Sequence, residues 1–278
     1  MNYCVICKSS KNKVTFNEEG VNVFRCLRCG HVYSQHNQSQ NYDGYFYRNI
    51  SSYNNFWWDE AHRKMYDDFF NRYILGRNGC LLDVGCGLGF FIKRISSYKG
   101  WDVKGCEISQ TAVEFAKNKL SLNNIRQGRV EELNYPPNYF DIITMWDVLE
   151  HIPDPDCLLR CLRVILKDDG IFFIHTPNIN IQLPKARIKK FFWKNHHHFL
   201  EAKDHINIYS PRTIKMLLEK YGFKNFNFVH LHPIQSVSGS RSIFLRLVKN
   251  LWFYLSVVIF YISFKSININ NLFLEIRK

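Results

Sequence analysis

Between Trp58 and Val229 the apolar residues switch repeatedly between two spacings, and the switching predicts an architecture. Trp58–Ile74 carries Met65, Phe69 and Tyr73 near helical spacing and stops at Gly76 and Gly79. Cys80–Val84 reads as a strand, Phe90–Ser97 as helix, Trp101–Glu107 as strand and Gln110–Leu120 as helix. A short strand is predicted near Ile125–Gly128 and a stronger one over Phe140–Met145. Asp154-Pro155 offers an N-cap carboxylate with proline at the first helical position, and Leu158, Leu162 and Ile165 supply that helix's apolar face. Asp168-Asp169-Gly170 is expected to stop it before a strand at Ile171–His175. Ser210-Pro211 opens a helix to Tyr221, Gly222 closes it, and Phe226–Val229 and the last eight residues, NLFLEIRK, are strand-like. Alternation of this kind implies a parallel sheet covered by helices on both faces.

Three regions depart from the pattern. Residues 1–33 hold two close-set cysteine pairs and too little apolar content for a core, so they read as a separate small module. Residues 34–56, rich in Asn, Gln, Ser and Tyr, read as a connector in which Tyr42–Tyr47 is aromatic enough to dock on another surface. The main domain then runs over 57–278, with an apolar insertion at about 236–266 before the last strand. Within it, residues 250–264 carry no charge, are flanked by Lys249 and Lys265, and fall short of the roughly 20 residues that span a bilayer. That run would be a helix covering the sheet, a dimer face, or an interfacial anchor at the inner membrane surface.

Composition adjusts this picture modestly. A chain of 278 residues buries one full-sized core with a small appendage. The formal charge of +13 is concentrated near the N-terminus, in Lys185–Lys194 and near the C-terminus; it favours polyanions or serves solubility alone. No charged start followed by an apolar run is present, so a cytoplasmic location is expected, and nine cysteines there imply reduced thiols and metal binding. Cys4-x-x-Cys7 and Cys26-x-x-Cys29 have the spacing of a closed, structural four-thiolate zinc site, a zinc ribbon. Cys80, Cys86, Cys106, Cys157 and Cys161 lie in the predicted strands, loop and helix and read as packing residues.

The central chemistry lies in Leu81-Leu82-Asp83-Val84-Gly85-Cys86-Gly87-Leu88-Gly89-Phe90, a buried strand, a glycine turn and a helix start. Glycines let backbone approach a ligand, and the helix start offers free N–H donors. The G-x-G-x-G spacing departs from the dinucleotide G-x-G-x-x-G, and the aspartate two residues before the first glycine suits a ligand carrying an ammonium group. Glu107, at the tip of the next strand, is placed to accept both hydroxyls of a ribose.

These residues resemble the class I S-adenosylmethionine-dependent methyltransferases. Phe140-Asp141-Ile142-Ile143, the segment from Asp147 to Pro155, Gly170–Ile174 followed by Thr176-Pro177-Asn178, and Asp204-His205 extend the resemblance. The branch is that of ubiquinone-biosynthesis O-methyltransferases and of sugar and glycan methyltransferases. The resemblance implies an α/β, Rossmann-like, seven-stranded and mostly parallel sheet whose last strand runs antiparallel. Carried over by position, Gly85, Cys86 and Gly87 would line the cofactor, Asp83 would sit under its methionine part, and Glu107 with Ile108 would hold the ribose. Val130 and Glu131 would edge the adenine, although Arg129 stands where many relatives have aspartate. Met145 and Trp146 would cover the methyl donor.

A sulfonium methyl is already activated, so the enzyme has chiefly to align a nucleophile and exclude water. An oxygen nucleophile usually needs a base, and His151, His205 and Asp147 are the candidates, each with a structural alternative. Adjacent His196-His197-His198 cannot all face one ion and read as a surface or substrate lid. The acceptor expected is a small molecule, sugar or glycan. The charge and the ribbon keep an RNA methyltransferase as the alternative, against which neither an N-P-P-Y-type motif nor a cysteine after the fourth strand is found. A non-catalytic S-adenosylmethionine-binding scaffold is the third reading.

Overall fold

A computed structural model describes residues 3–36, 38, 41–51, 55–192, 199–235 and 241–278. His196-His197-His198, Lys194 and part of the connector lie outside the described residues. A first sheet is built from β1 (Asn12–Glu18), β2 (Val21–Cys26) and β3 (Val32–Ser34), all antiparallel. Helix α1 (Tyr42–Ser51) occupies the connector, and α2 (Asn55–Phe69) closes in a wider, π-type turn over Phe70–Ile74. The main alternation follows: β4 (Gly79–Val84), α3 (Phe90–Ser96), β5 (Trp101–Glu107), α4 (Gln110–Leu120), β6 (Ile125–Gln127), β7 (Phe140–Trp146), α5 (Asp156–Ile165) and β8 (Leu166–Thr176). After α6 (Ile179–Phe192) come β9 (Asn207–Ile208), α7 (Pro211–Glu219), β10 (Lys224–Val229), α8 (Arg241–Ile262) and β11 (Leu272–Arg277).

The large sheet has seven strands in the order β10-β11-β8-β7-β4-β5-β6. β4 pairs in parallel with both β5 and β7, whereas β11 runs antiparallel to its neighbours β8 and β10. The expected fold class and its one reversed strand are therefore both present. Period-two alternation sorts the side chains into two layers. Leu82, Val84, Ile143 and Phe172 face Leu158, Leu162, Ile214 and Leu217 of α5 and α7. Leu81, Val103, Ile142 and Phe173 face Met65, Phe69, Phe91, Ile95 and Val113 of α2, α3 and α4. From central β4 the chain runs outward to β5 and β6 on one side and to β7 and β8 on the other. The crevice beyond its carboxyl end is the position where such sheets bind ligands.

Local signals behave as their chemistry dictates, with three shifts. Ser109 caps α4 by accepting from the Ala112 N–H at 3.2 Å, and Ser210 caps α7 with Pro211 in its first turn. Pro155 rather than Asp154 sits at the cap of α5, and the Asp154 carboxylate accepts from Asp156 N–H at 3.2 Å. β8 begins at Leu166, before Asp168-Asp169-Gly170, because Leu166 pairs with Phe140 and the register then slips before Ile171 joins Ile142. Of the uncharged run at 250–264, residues 250–262 belong to a 22-residue helix that Arg241–Lys249 extend toward the N-terminus.

The cysteine-bearing strands are built into the rest of the molecule. β3 pairs antiparallel with β9, so the first sheet gains a strand from the main domain. Phe16, Val23 and Val32 share a core with Leu183, Ala186, Leu200 and Ile208. Three N–H groups, of Phe199, Leu200 and Ala202, converge on the Glu18 carboxylate.

Candidate active site

At the end of β4, Asp83 is buried at 2% exposure and accepts from the Thr144 hydroxyl of β7 at 2.7 Å. Burial, against which Thr144 works only partly, pushes its carboxyl up to about 8. The chain then turns through Gly85 and Gly87 at φ +70° and +52°. A Cβ on Gly85 would come within 2.6 Å of a Val148 methyl, so glycine is required by space as well as by conformation. Cys86 covers Gly105, where an added Cβ would lie 2.9 Å from its Sγ.

Glu107 ends β5 and is nearly enclosed. One of its oxygens accepts from Gly87 N–H and the other from Ser109 N–H, both at 2.9 Å. Each retains a lone pair for a further donor. Burial raises this carboxyl too, and the backbone donors oppose the rise. Exposed Ile108 flanks it, and the turn at Val130–Glu132 follows β6, with Val130 buried and Glu131 partly exposed. Arg129 N–H donates to Glu132 at 3.3 Å and so closes that turn on itself.

Two cofactor-lining candidates serve packing instead. Met145 and Trp146 lie inside β7 and not beyond it. Met145 is fully enclosed in the layer with Leu149 and Leu158. Trp146 points to the opposite layer, among Phe69, Phe91 and Phe173 at ring distances of 5.4, 5.1 and 5.2 Å. Their side chains fill the core because strand alternation leaves them no other direction.

The three proposed acid–base residues do come together. Asp147 follows β7 in a left-handed conformation, φ +51°, with Oδ1 3.1 Å from His175 Nδ1. Burial alone would raise its carboxyl, but His175, His62 and His205 outweigh burial and hold it below the usual range. His151 Nδ1 donates to the Asp204 carbonyl at 3.0 Å and His205 Nδ1 to the Leu200 carbonyl at 3.1 Å. A carbonyl can only accept, so Nε2 is the unprotonated atom of each neutral ring; that of His205 lies 3.6 Å from Glu201 Oε2. The rings lie 4.9 Å apart, and burial lowers both imidazoles below 6.5. Glu150 is fully buried and takes a hydrogen bond from Thr176 at 2.9 Å, and its Oε1 has no hydrogen-bond partner among the described residues. Burial, then the adjacent Asp147, pushes the Glu150 carboxyl up. One ligand atom from each of Glu150, His151 and His205 lies within 4.8 Å of the others, close enough to hold a cation between them.

The aromatic stretch of the connector docks beside the donor loop, and other participants carry no sequence signal. α1 lies over the glycine loop: Phe46 sits 3.4 Å from where a Gly87 Cβ would be. Asp43 accepts from the Ser109 hydroxyl at 2.7 Å and Thr111 N–H at 3.2 Å. Tyr42 packs edge-on against His151 at 6.1 Å, bridging the donor side to the histidine side. His62 and His175 face Asp147 from α2 and β8, elements read from sequence as core alone. At the far end of the first sheet, the Cys4, Cys7, Cys26 and Cys29 sulfurs all lie within 4.8 Å of one another. Zn–S bonds of about 2.3 Å place neighbouring sulfurs about 3.8 Å apart, so this donor set fits a tetrahedral zinc.

A buried acid and glycine turn at the first central strand, an acid at the tip of the second, and a reversed last strand together define the site. Residues 57–227 match the methyltransferase-domain family. The chain belongs to that family. It is a class I S-adenosylmethionine-dependent methyltransferase. It is 30% identical over 138 residues to a ubiquinone biosynthesis O-methyltransferase of Neisseria meningitidis, covering 45% of this chain and 58% of that relative. A Coxiella burnetii protein of the same name is 28% identical over 166 residues, 56% of this chain and 69% of the relative. The fold is shared with an S-adenosylmethionine-dependent methyltransferase structure from Methanococcus maripaludis at TM-score 0.54 and 14% identity, covering 87% of this chain and 95% of that one.

Proposed function

We propose that this methyltransferase moves the methyl group to an oxygen of a small-molecule, sugar or glycan acceptor, with His151 or His205 taking the acceptor's proton. The observation that carries this reading is the pair of partly buried imidazoles, each fixed through Nδ1 to a main-chain carbonyl, which leaves Nε2 as the basic atom of the neutral ring, that of His205 lying 3.6 Å from Glu201 Oε2. S-adenosylmethionine supplies, when bound, a methyl already activated by its sulfonium. Asp83 would meet its ammonium group, Glu107 its ribose hydroxyls, and Gly85 and Gly87 would let the backbone close on it. α1 would then cover the loop, exclude water and narrow the approach of the acceptor. The names of the two relatives favour oxygen and a small acceptor over RNA.

The four-cysteine cluster is proposed to hold a structural zinc, leaving no open position for chemistry. Because β3 and Glu18 hold the loop that carries His205, the zinc would stabilise the acceptor side from a distance.

The test incubates the full chain with methyl-labelled S-adenosylmethionine and separated small-molecule, polysaccharide and RNA fractions from cells. Label is expected in one of the first two; label confined to RNA overturns the reading. His151→Gln and His205→Gln are then compared, and at least one should lower turnover by about 100-fold or more while S-adenosylmethionine affinity stays within about twofold. Unchanged turnover in both removes the histidine base. Stimulation by added Mg2+ or Mn2+ would favour a cation held by Glu150, His151 and His205 in its place.

A further inference from the structure

Helix α8 is fastened to the domain along one stripe only. Phe253, Ser256 and Phe260 are buried, with Phe253 stacked on His232 at 4.5 Å and Phe260 against His230 at 4.6 Å. Lys249 donates to the Ile234 carbonyl at 2.8 Å, Trp252 to the Ile269 carbonyl at 3.1 Å, and Arg246 pairs with Glu60 at 3.1 Å. The polar groups of the helix are thus turned inward or to its flank.

The outward face is apolar. Leu247, Leu251, Tyr254, Val258, Tyr261 and Ile262 are 51–73% exposed, and Phe264 just beyond the helix is 91% exposed. A helix on a water-facing surface shows the opposite arrangement, and a patch of this extent on a soluble domain marks an interaction site. Residues 241–265, the helix and the turn that follows it, contain no Asp or Glu but hold Arg241, Arg246, Lys249 and Lys265. Lys185 of α6 adds to that cationic margin: burial first, and then Lys185, pulls the Lys249 ammonium down.

We propose that α8 seats the enzyme on an anionic lipid bilayer, lying in the interface with its outer face among the acyl chains. At about 1.5 Å per residue its 22 residues span about 33 Å, enough to cross a bilayer, but the inner stripe is already occupied by the domain. The helix therefore lies along the membrane, with Trp252, Tyr254 and Tyr261 at the depth that such rings favour. Charge decides between lipid and a second copy of the chain. Phosphate headgroups complement the basic margin, whereas two copies face to face would oppose like charges.

The experiment floats the full-length protein with phosphatidylcholine vesicles and with vesicles containing about one-third phosphatidylglycerol. Binding is expected with the anionic vesicles, weakened at least about tenfold on neutral ones, and weakened by at least the same factor in Leu251→Asp/Val258→Asp. Both positions are exposed, so S-adenosylmethionine affinity and unfolding midpoint should stay unchanged in that variant. No flotation with anionic vesicles overturns the proposal. So does a dimer by light scattering that becomes a monomer in the double variant, because the face would then be a subunit contact.

Discussion

Asp83 is a carboxyl that the fold itself disfavours as an anion. With its folded value near 8, above the unfolded value of about 3.9, it favours the fold below about pH 4 and loses that contribution as pH rises toward 8. A bound ammonium reverses the balance by stabilising the anion. Two outcomes are expected. S-adenosylmethionine affinity, measured by calorimetry, should increase between pH 6 and 7, by at most about tenfold. Asp83→Asn should abolish that slope, weaken binding about 100-fold or more, and raise the unfolding free energy of the ligand-free protein by about 1 kcal/mol or more. Gly85 is the complementary case. Gly85→Ala should cost about 1–3 kcal/mol in denaturant unfolding, since it meets both a left-handed backbone and a Val148 methyl 2.6 Å away.

Among the elements, the pairing of β3 with β9 couples the cysteine-bearing sheet to the segment that carries His205, the proposed base. Read from sequence, that sheet is a separate module whose unfolding would leave the chemistry untouched. In the structure Glu18 satisfies the N–H groups of Leu200 and Ala202 at 2.9 and 2.7 Å, and these residues flank the loop that presents His205. Glu18→Ala would leave those buried donors unpaired. It is expected to lower kcat about tenfold with S-adenosylmethionine affinity within about twofold of the parent. Removal of metal from the cysteine cluster should lower kcat in the same direction, because loss of the first sheet withdraws β3 from β9. Steady-state kinetics on chelator-treated and zinc-restored protein checks this.

At the scale of the molecule, the desolvated imidazoles oppose folding on the acid side. Burial lowers His62, His151, His205 and His230, so each is neutral in the fold and accepts a proton near 6.5 once unfolded. Their contribution is complete above about pH 6.5 and is lost as pH falls through their lower folded values. The raised carboxyls of Asp83, Glu107 and Glu150 act in the opposite direction, so the imidazole contribution is read as a difference: between about pH 7.5 and the acid side of about 6.5, the denaturant midpoint of a His62→Gln variant should rise relative to that of the parent, because one of these titrations is removed.

Much of this protein is determined locally and is therefore legible in its sequence. The β4, α3, β5 and α4 spacing, the glycine turn at Gly85–Gly89 and the acids Asp83 and Glu107 follow from short-range periodicity and backbone freedom. Those features carry the resemblance that implies the fold class and the donor. The cysteine spacing likewise brings four sulfurs together, because each pair sits on one tight turn. Other features depend on residues far apart in the chain. Met145 and Trp146 are adjacent to the site in sequence, yet strand alternation sends both side chains into the core. His62, Asp147 and His175 meet from α2, the end of β7 and β8, and nothing in their spacing announces it. The first sheet becomes part of the acceptor side only through a strand more than 170 residues later, at Asn207–Ile208. Whether an apolar helix faces core or lipid is likewise a property of what packs on it. Sequence determined the donor because that site is one turn between two strands. Tertiary packing decided the acceptor side, the sheet's attachment and the exposed helix, because each is assembled from distant segments.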